Sequence, residues 1–109
     1  MNAPLVLTDG NFQREVLDAP GLVLVDFSAV WCQPCRVMEP VIGELAKQYA
    51  GQVKVGKLDC DTEPETAARF GIRGMPTFLF FQQGKVVDSL TGVMPKSRLA
   101  GRLDAALAA

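Results

Sequence analysis

Apolar positions in the 109-residue chain fall into short runs and helical stripes, separated by glycine, proline and polar turns. Leu5 to Leu7 predicts a short first strand. Leu22-Val23-Leu24-Val25-Asp26-Phe27 is rich in valine and lacks polar alternation, as expected of a strand buried on both faces. Val53 to Asp59 predicts another strand. Thr77 to Phe81 and Val86 to Leu90 predict two more, joined by the turn Gln82-Gln83-Gly84-Lys85. Helical periodicity fills the intervals. Thr8 or Asp9 caps a helix to about Asp18, with Phe12 and Val16 stacked one turn apart, and Pro20-Gly21 ends it. A longer helix runs from about Gln33 to Tyr49, with Val37, Val41, Leu45 and Tyr49 as its stripe and Met38 and Ile42 widening it. Pro40 removes one backbone donor inside it and is expected to kink it; Gly51 lies beyond its end. Glu65 to Phe70 predicts a short helix closed by Gly71. The last helix starts at Pro95 or Lys96, with Leu99, Leu103 and Leu107 on one face.

The order is β-α-β-α-β-α-β-β-α. Strands alternating with helices predict parallel pairing, and the final hairpin adds an antiparallel strand. The expected class is α/β, a mixed sheet sandwiched by helices. No repeat, low-complexity tract or linker divides the chain, so residues 1–109 are expected to form one domain.

Composition narrows the chemistry. Apolar residues make up 49% and charged residues 21%, ordinary for a globular protein. The 11 basic and 12 acidic side chains leave a net charge of −1, without the basic stripe of a nucleic-acid binder. There is no histidine, which removes Ser–His–Asp triads, Cys–His proteases, histidine zinc sites and histidine-ligated haem. Any proton acceptor is then a carboxylate, a lysine, a thiolate or water. The longest apolar runs fall far short of the ~20 residues of a membrane span. Met1 to Leu7 lacks a basic region followed by a long apolar stretch, so the expected compartment is the cytoplasm. Three cysteines make no disulfide framework.

Trp31-Cys32-Gln33-Pro34-Cys35 sits where the strand ending near Phe27 gives way to the long helix. A Cys-x-x-Cys at such a junction is a redox signature. Cys32 would be roughly the N-cap and Cys35 the third helical residue. Unpaired backbone N–H groups and the helix dipole would then stabilise a Cys32 thiolate, the form that attacks a disulfide. Pro34 in the first turn costs little and stiffens the loop. Cys35, further in, is expected to be the more buried and to resolve a mixed disulfide. The competing readings are two buried or incidental cysteines, or half of a zinc site; a structural zinc needs four ligands and only Cys60 remains.

Asp26 interrupts the apolar strand on the face of Leu22 and Leu24. A buried carboxylate must raise its pKa or find a partner, and Lys57, sharing a face with Val53 and Val55 in the next strand, is the candidate. Asp26 would take the proton of Cys35 as the mixed disulfide resolves. The alternative stays open that Asp26 marks an exposed strand end and Lys57 only snorkels to solvent. Pro76 introduces a strand, where proline is allowed; spacing does not show whether it faces Cys32. Cys60 lies between Asp59 and Asp61, whose charges disfavour its thiolate, so it reads as unreactive.

Over nearly its whole length the chain resembles the thioredoxin family: the Trp31–Cys35 motif, Asp26, Pro40, Lys57, Pro76, Gly84 and Gly92 fall in that family's order and spacing. The resemblance implies a thioredoxin fold, a central mixed sheet of five strands flanked by four helices. It implies that Cys32 is the nucleophile, Cys35 the resolving thiol, Asp26 the buried proton acceptor and Lys57 its neighbour. It also implies a cis Met75–Pro76 bond beside the dithiol. Gly74, Met75, Pro76, Gly92, Trp31 and Pro34 would receive an extended substrate segment by strand addition. The activity implied is general protein-disulfide reduction by a monomer without a bound cofactor. Its targets would be disulfide-containing proteins, and a flavin-containing thioredoxin reductase would recycle it with NADPH. An oxidase or isomerase, or a scaffold without redox duty, are the rival readings. Two positions depart from the family. Gln33 stands where glycine is usual and should tune the reduction potential. Ser28 stands where tryptophan is frequent, so packing under the loop must differ.

Overall fold

A computed structural model describes residues 3–109. Five strands form one mixed sheet in the order β1-β3-β2-β4-β5: β1 (Leu5–Leu7), β2 (Leu22–Ser28), β3 (Val53–Asp59), β4 (Thr77–Gln82) and β5 (Lys85–Thr91). β1 and β2 flank β3 in parallel, whereas β4 runs antiparallel to both β2 and β5. Three α-helices accompany the sheet: α1 (Gln33–Gln48), α2 (Pro64–Arg69) and α3 (Lys96–Ala108). The thioredoxin fold and the α/β class expected from the sequence are both present.

β2 is central because it has something to bury on each side. Leu22 and Leu24 pack with Met38, Ile42 and Leu45 of α1 and with Leu99 and Leu103 of α3. Val23, Val25 and Phe27 point the other way, into a cluster with Phe12, Val16 and Phe81. Phe70 joins that second cluster, its ring 5.2 Å from Phe81 and 5.5 Å from Phe12. Period-two alternation thus splits one apolar run between two cores. β1 can lie close to β3 because Gly56 has no side chain; a Cβ there would come within 2.6 Å of Leu7.

The first helix is shorter than its periodicity predicted. Thr8 and Asn11 exchange side-chain-to-backbone hydrogen bonds of 2.8 and 3.0 Å. The turn that follows, Gln13–Leu17, is π-helical and closes with the Asp18 N–H on the Gln13 carbonyl at 2.8 Å. Four flanking helices therefore become three α-helices and one widened turn. Asp9 does not cap this segment. Its carboxylate instead accepts from the Thr66 N–H and hydroxyl at 2.8 and 2.7 Å, capping α2 from a distant loop.

The stripe of α1 is also displaced. Val37 is 52% exposed, and the buried seam is Cys35, Met38, Ile42, Leu45 and Ala46. Both candidate stripes have helical spacing, and the seam that faces the sheet is the one that continues from Cys35. The helix runs through Pro40, which is exposed. Leu107 lies in the last turn of α3 and is exposed, unlike Leu99 and Leu103. The β4–β5 hairpin is tighter than predicted, with only Gln83 and Gly84 between the strands, at φ of 49° and 79°. Positive φ at both positions is what a two-residue hairpin turn requires.

Candidate active site

β2 ends at Ser28, and α1 begins at Gln33. The loop between them carries Trp31 and Cys32. Cys32 is the N-cap, at φ −84° and ψ 110°, and its Sγ accepts from the Cys35 N–H at 3.2 Å. A sulfur in that place satisfies one of the donors that every helix start leaves unpaired. It also sits where the helix dipole favours negative charge. Pro34 occupies the first turn, where a missing N–H breaks no helical bond. Cys32 and Cys35 are joined in a disulfide, with their Cα atoms 5.3 Å apart.

The expected contrast in burial between the two cysteines is absent. Cys32 is 4% exposed and Cys35 is 3% exposed. The cover over Cys32 comes from another part of the chain. Met75 packs on Ala29, Cys32 and Cys35, and its carbonyl oxygen lies 3.8 Å from Cys32 Sγ. The Met75–Pro76 bond is cis, as the family resemblance implied. Pro76 is buried and Gly74 exposed. The Gly74 carbonyl accepts from the Thr77 hydroxyl, and the Pro76 carbonyl accepts from the Gly92 N–H at 2.9 Å. Gly92 takes φ +97° in this position, a conformation natural to glycine.

Around this centre lie several exposed side chains. Trp31 is 64% exposed, and Val30 and Val93 are exposed as well. Gln33 and Pro34 also face solvent. Two tethers hold the loop. The Trp31 indole N–H donates to the Asp61 carboxylate, and Arg36 donates to the Val30 carbonyl through Nε at 3.1 Å and Nη2 at 2.8 Å. Arg36 was not singled out from the sequence, and Asp61 was named there only as a neighbour of Cys60. Asp61 is 30 residues from Trp31, and no local spacing signals such a pair.

Asp26 is buried, at 1% exposure. It lies in register with Lys57 across the parallel β2–β3 pair and beside Phe78 on β4. The alternative of an exposed strand end is thereby removed. Neither carboxylate oxygen has a hydrogen-bond partner among the described residues. Burial pushes the Asp26 pKa up to about 7, with Lys57 pulling it down and Glu39 pushing it further up. Lys57 is half-buried rather than enclosed.

Where a large side chain is frequent in the family, Ser28 leaves space. A cavity of about 370 Å³ is lined by Ser28, Ala29, Cys35, Glu39, Lys57 and Asp59, among others. Cys60 follows β3, half-buried, with its backbone N–H on the Ser28 carbonyl at 2.8 Å. Burial first, then Asp59 and Asp61, push its thiol up to about 11. Among the described residues no cluster of three or more His, Cys, Asp or Glu is placed to hold a metal ion.

Comparison with known proteins shows the family of the chain. The family model described as Thioredoxin matches residues 3–105. The chain belongs to the thioredoxin family. It is 46% identical over 104 residues to "Thioredoxin 1" of Synechococcus elongatus, covering 95% of this chain and 97% of that protein. Identity to "Thioredoxin 2" of Chlorobaculum tepidum is 48% over 97 residues, 89% of each chain. Similarity extends to "Thioredoxin M-type, chloroplastic" of Pisum sativum, at 44% identity over 95% of this chain and 60% of that protein. As a thioredoxin-family protein it is a thiol–disulfide oxidoreductase, a disulfide reductase working by dithiol–disulfide exchange. Its redox group is its own disulfide, with no bound cofactor needed. The family works with disulfide-containing substrates and with reductases in general. No helix among the described residues is long and apolar enough to cross a membrane.

Proposed function

We propose that Cys32 is the attacking nucleophile of a general protein-disulfide reductase, that Cys35 resolves the intermediate, and that Asp26 accepts the proton released. The observation that carries this reading is the position of Cys32 Sγ, on the Cys35 N–H in the first turn of α1 and against Met75. The Cys32 thiolate attacks one sulfur of a target disulfide. That disulfide breaks, its far sulfur leaves as a thiolate, and Cys32 is joined to the target. The Cys35 thiol then passes its proton to the Asp26 carboxylate, and its sulfur attacks Cys32 Sγ. The target's second sulfur leaves as a thiolate and takes a proton from water, while the Cys32–Cys35 bond closes. Two electrons have passed from the dithiol to the target.

Lys57 supports the anionic form of Asp26 from the neighbouring strand, against the large cost of a carboxylate without hydrogen bonds. Trp31, Pro34, Gly74, Met75, Pro76 and Gly92 form the docking surface in this reading, with an extended target segment lying along the Met75 backbone. Gln33 and Pro34, between the cysteines, tune the balance of dithiol and disulfide. A thioredoxin reductase using NADPH returns the protein to the dithiol, in the cytoplasm, and the working unit is a monomer of one domain, residues 1–109. The shared sheet and its two cores support the single domain.

The test is reduction of insulin disulfides with dithiothreitol as electron source. Turnover well above dithiothreitol alone is expected, with loss in Cys32→Ser. In Cys35→Ser, a trapped mixed disulfide with the target is expected. A rate equal to dithiothreitol alone would overturn the reading. For Asp26, stopped-flow release from the mixed disulfide should slow in Asp26→Asn at neutral pH; an unchanged rate removes it as the acceptor.

A further inference from the structure

The cavity beside Ser28 has a charged wall that the exchange reaction does not by itself explain. Cys35 and Glu39 reach it from α1, one helical turn apart, and Lys57 and Asp59 reach it from β3. Its volume of about 370 Å³ is room for several water molecules at roughly 30 Å³ each. Asp26 is enclosed by protein on β2. Any proton it takes from Cys35 must later reach solvent, and this cavity opens beside both Cys35 and Lys57.

The groups around Asp26 divide by sign. From β3 come Lys57, in register with it, Asp59, paired with Ser28 at the end of the ladder, and Cys60 just beyond. From α1, Cys35, Arg36 and Glu39 line the adjoining cavity. β4 contributes the uncharged Phe78. Arg36 is committed to the Val30 carbonyl. Lys57 makes no ion pair within 4.0 Å among the described residues, and neither does Glu39. The two charges on the cavity wall therefore do not neutralise each other at contact.

We propose that Glu39 acts on the proton step of Cys35 from across this cavity, as the negative counterweight to Lys57 beside the buried Asp26. It is a positioning residue, acting through Asp26 and not touching the reacting sulfurs. The proposal rests on the reading of Asp26 as proton acceptor. Its physical content is a balance. Burial is the largest influence on Asp26 and favours its neutral form, while Lys57 favours the carboxylate. Glu39 adds to burial and opposes Lys57; Asp26 is raised to about 7 chiefly by burial, with Glu39 a smaller cause in the same direction.

The experiment is a ¹³C NMR titration of the Asp26 carboxyl in the oxidised chain, in the parent protein and in Glu39→Gln. The midpoint is expected to fall by roughly 0.3–1 pH unit on losing one like charge at this range. Glu39→Asp, which keeps the charge, should stay near the parent value. The pH profile of release from the mixed disulfide should shift the same way in Glu39→Gln. Because Glu39 is exposed, the variant is expected to fold. An unmoved Asp26 midpoint overturns the role of Glu39, and the reading of Asp26 then stands or falls by the Asp26→Asn release rate. A midpoint that moves while the release profile stays fixed overturns the link to Cys35, and with it Asp26 as acceptor.

Discussion

The indole N–H of Trp31 donates to the carboxylate of Asp61, tying the loop before the dithiol to the loop after β3. Trp31 is otherwise largely exposed, so this bond is what holds its ring in one place on the proposed docking face. A hydrogen bond to a charged acceptor at an exposed site contributes about 1 kcal/mol, a factor of about five. We expect Asp61→Ala to raise KM for a protein disulfide by about that factor. Reduction of a small disulfide, which does not need the ring, should be unaffected. Asp61→Asn keeps an acceptor and should restore most of the difference. Steady-state kinetics on both substrates will check this.

Asp26 makes stability depend on pH in an unusual direction. Its folded pKa, about 7, lies above the ordinary 3.8. Between those values the folded state holds a proton that the unfolded chain has released. Stability is therefore highest below about pH 4 as far as this group is concerned, falls as pH rises from there to 7, and is lowest above 7. Asp26→Leu removes the group. Its pH-dependent gain should be near zero at pH 4 and at most about 4 kcal/mol at pH 8, since each pH unit separating the folded and unfolded pKa values is worth about 1.4 kcal/mol. Urea unfolding at the two pH values measures it. A gain equal at both would mean that Asp26 titrates normally.

Cys60 should be chemically silent at neutral pH. Its thiol is pushed up to about 11 by burial and then by Asp59 and Asp61. The thiolate fraction at pH 7 is then of order 10⁻⁴, and only the thiolate reacts. In the reduced protein, iodoacetamide should alkylate Cys32 first and leave Cys60 free. Labelling of Cys60 should rise only as pH climbs toward 11. Mass spectrometry of peptides after timed alkylation reads both cysteines at once.

Gly92 joins the Pro76 segment through its N–H while holding φ at +97°. A Cβ at this position would meet nothing within 4 Å, so the cost of a side chain is conformational rather than steric crowding by neighbours. Gly92→Ala should lose roughly 1–2 kcal/mol of stability. Thermal unfolding should show it as a lowered Tm, with the Cys32–Cys35 disulfide still forming.

The order of strands and helices was legible in the sequence because each element's own residues encode it. Valine-rich runs predicted β2 and β3 nearly to their ends, and the Cys-x-x-Cys lay at the strand-to-helix junction that its chemistry requires. Asp26 stood out because a carboxylate in an apolar run needs an explanation wherever the run is buried. Local periodicity was weaker where two stripes of one helix competed. Val37 and Met38 are both apolar and adjacent, and only docking against the sheet decides which one is buried.

The chain alone therefore determined the pieces and the reactive pair, since these depend on spacing within a few residues. Tertiary structure decided what meets across distance: Met75 over Cys32, Asp61 on Trp31, Asp9 on the start of α2, and Glu39 and Lys57 around the space beside Ser28. Those meetings depend on strand register and helix docking, which are set by the packing of the whole sheet. A segment carries no record of the partner it will face until that packing has formed.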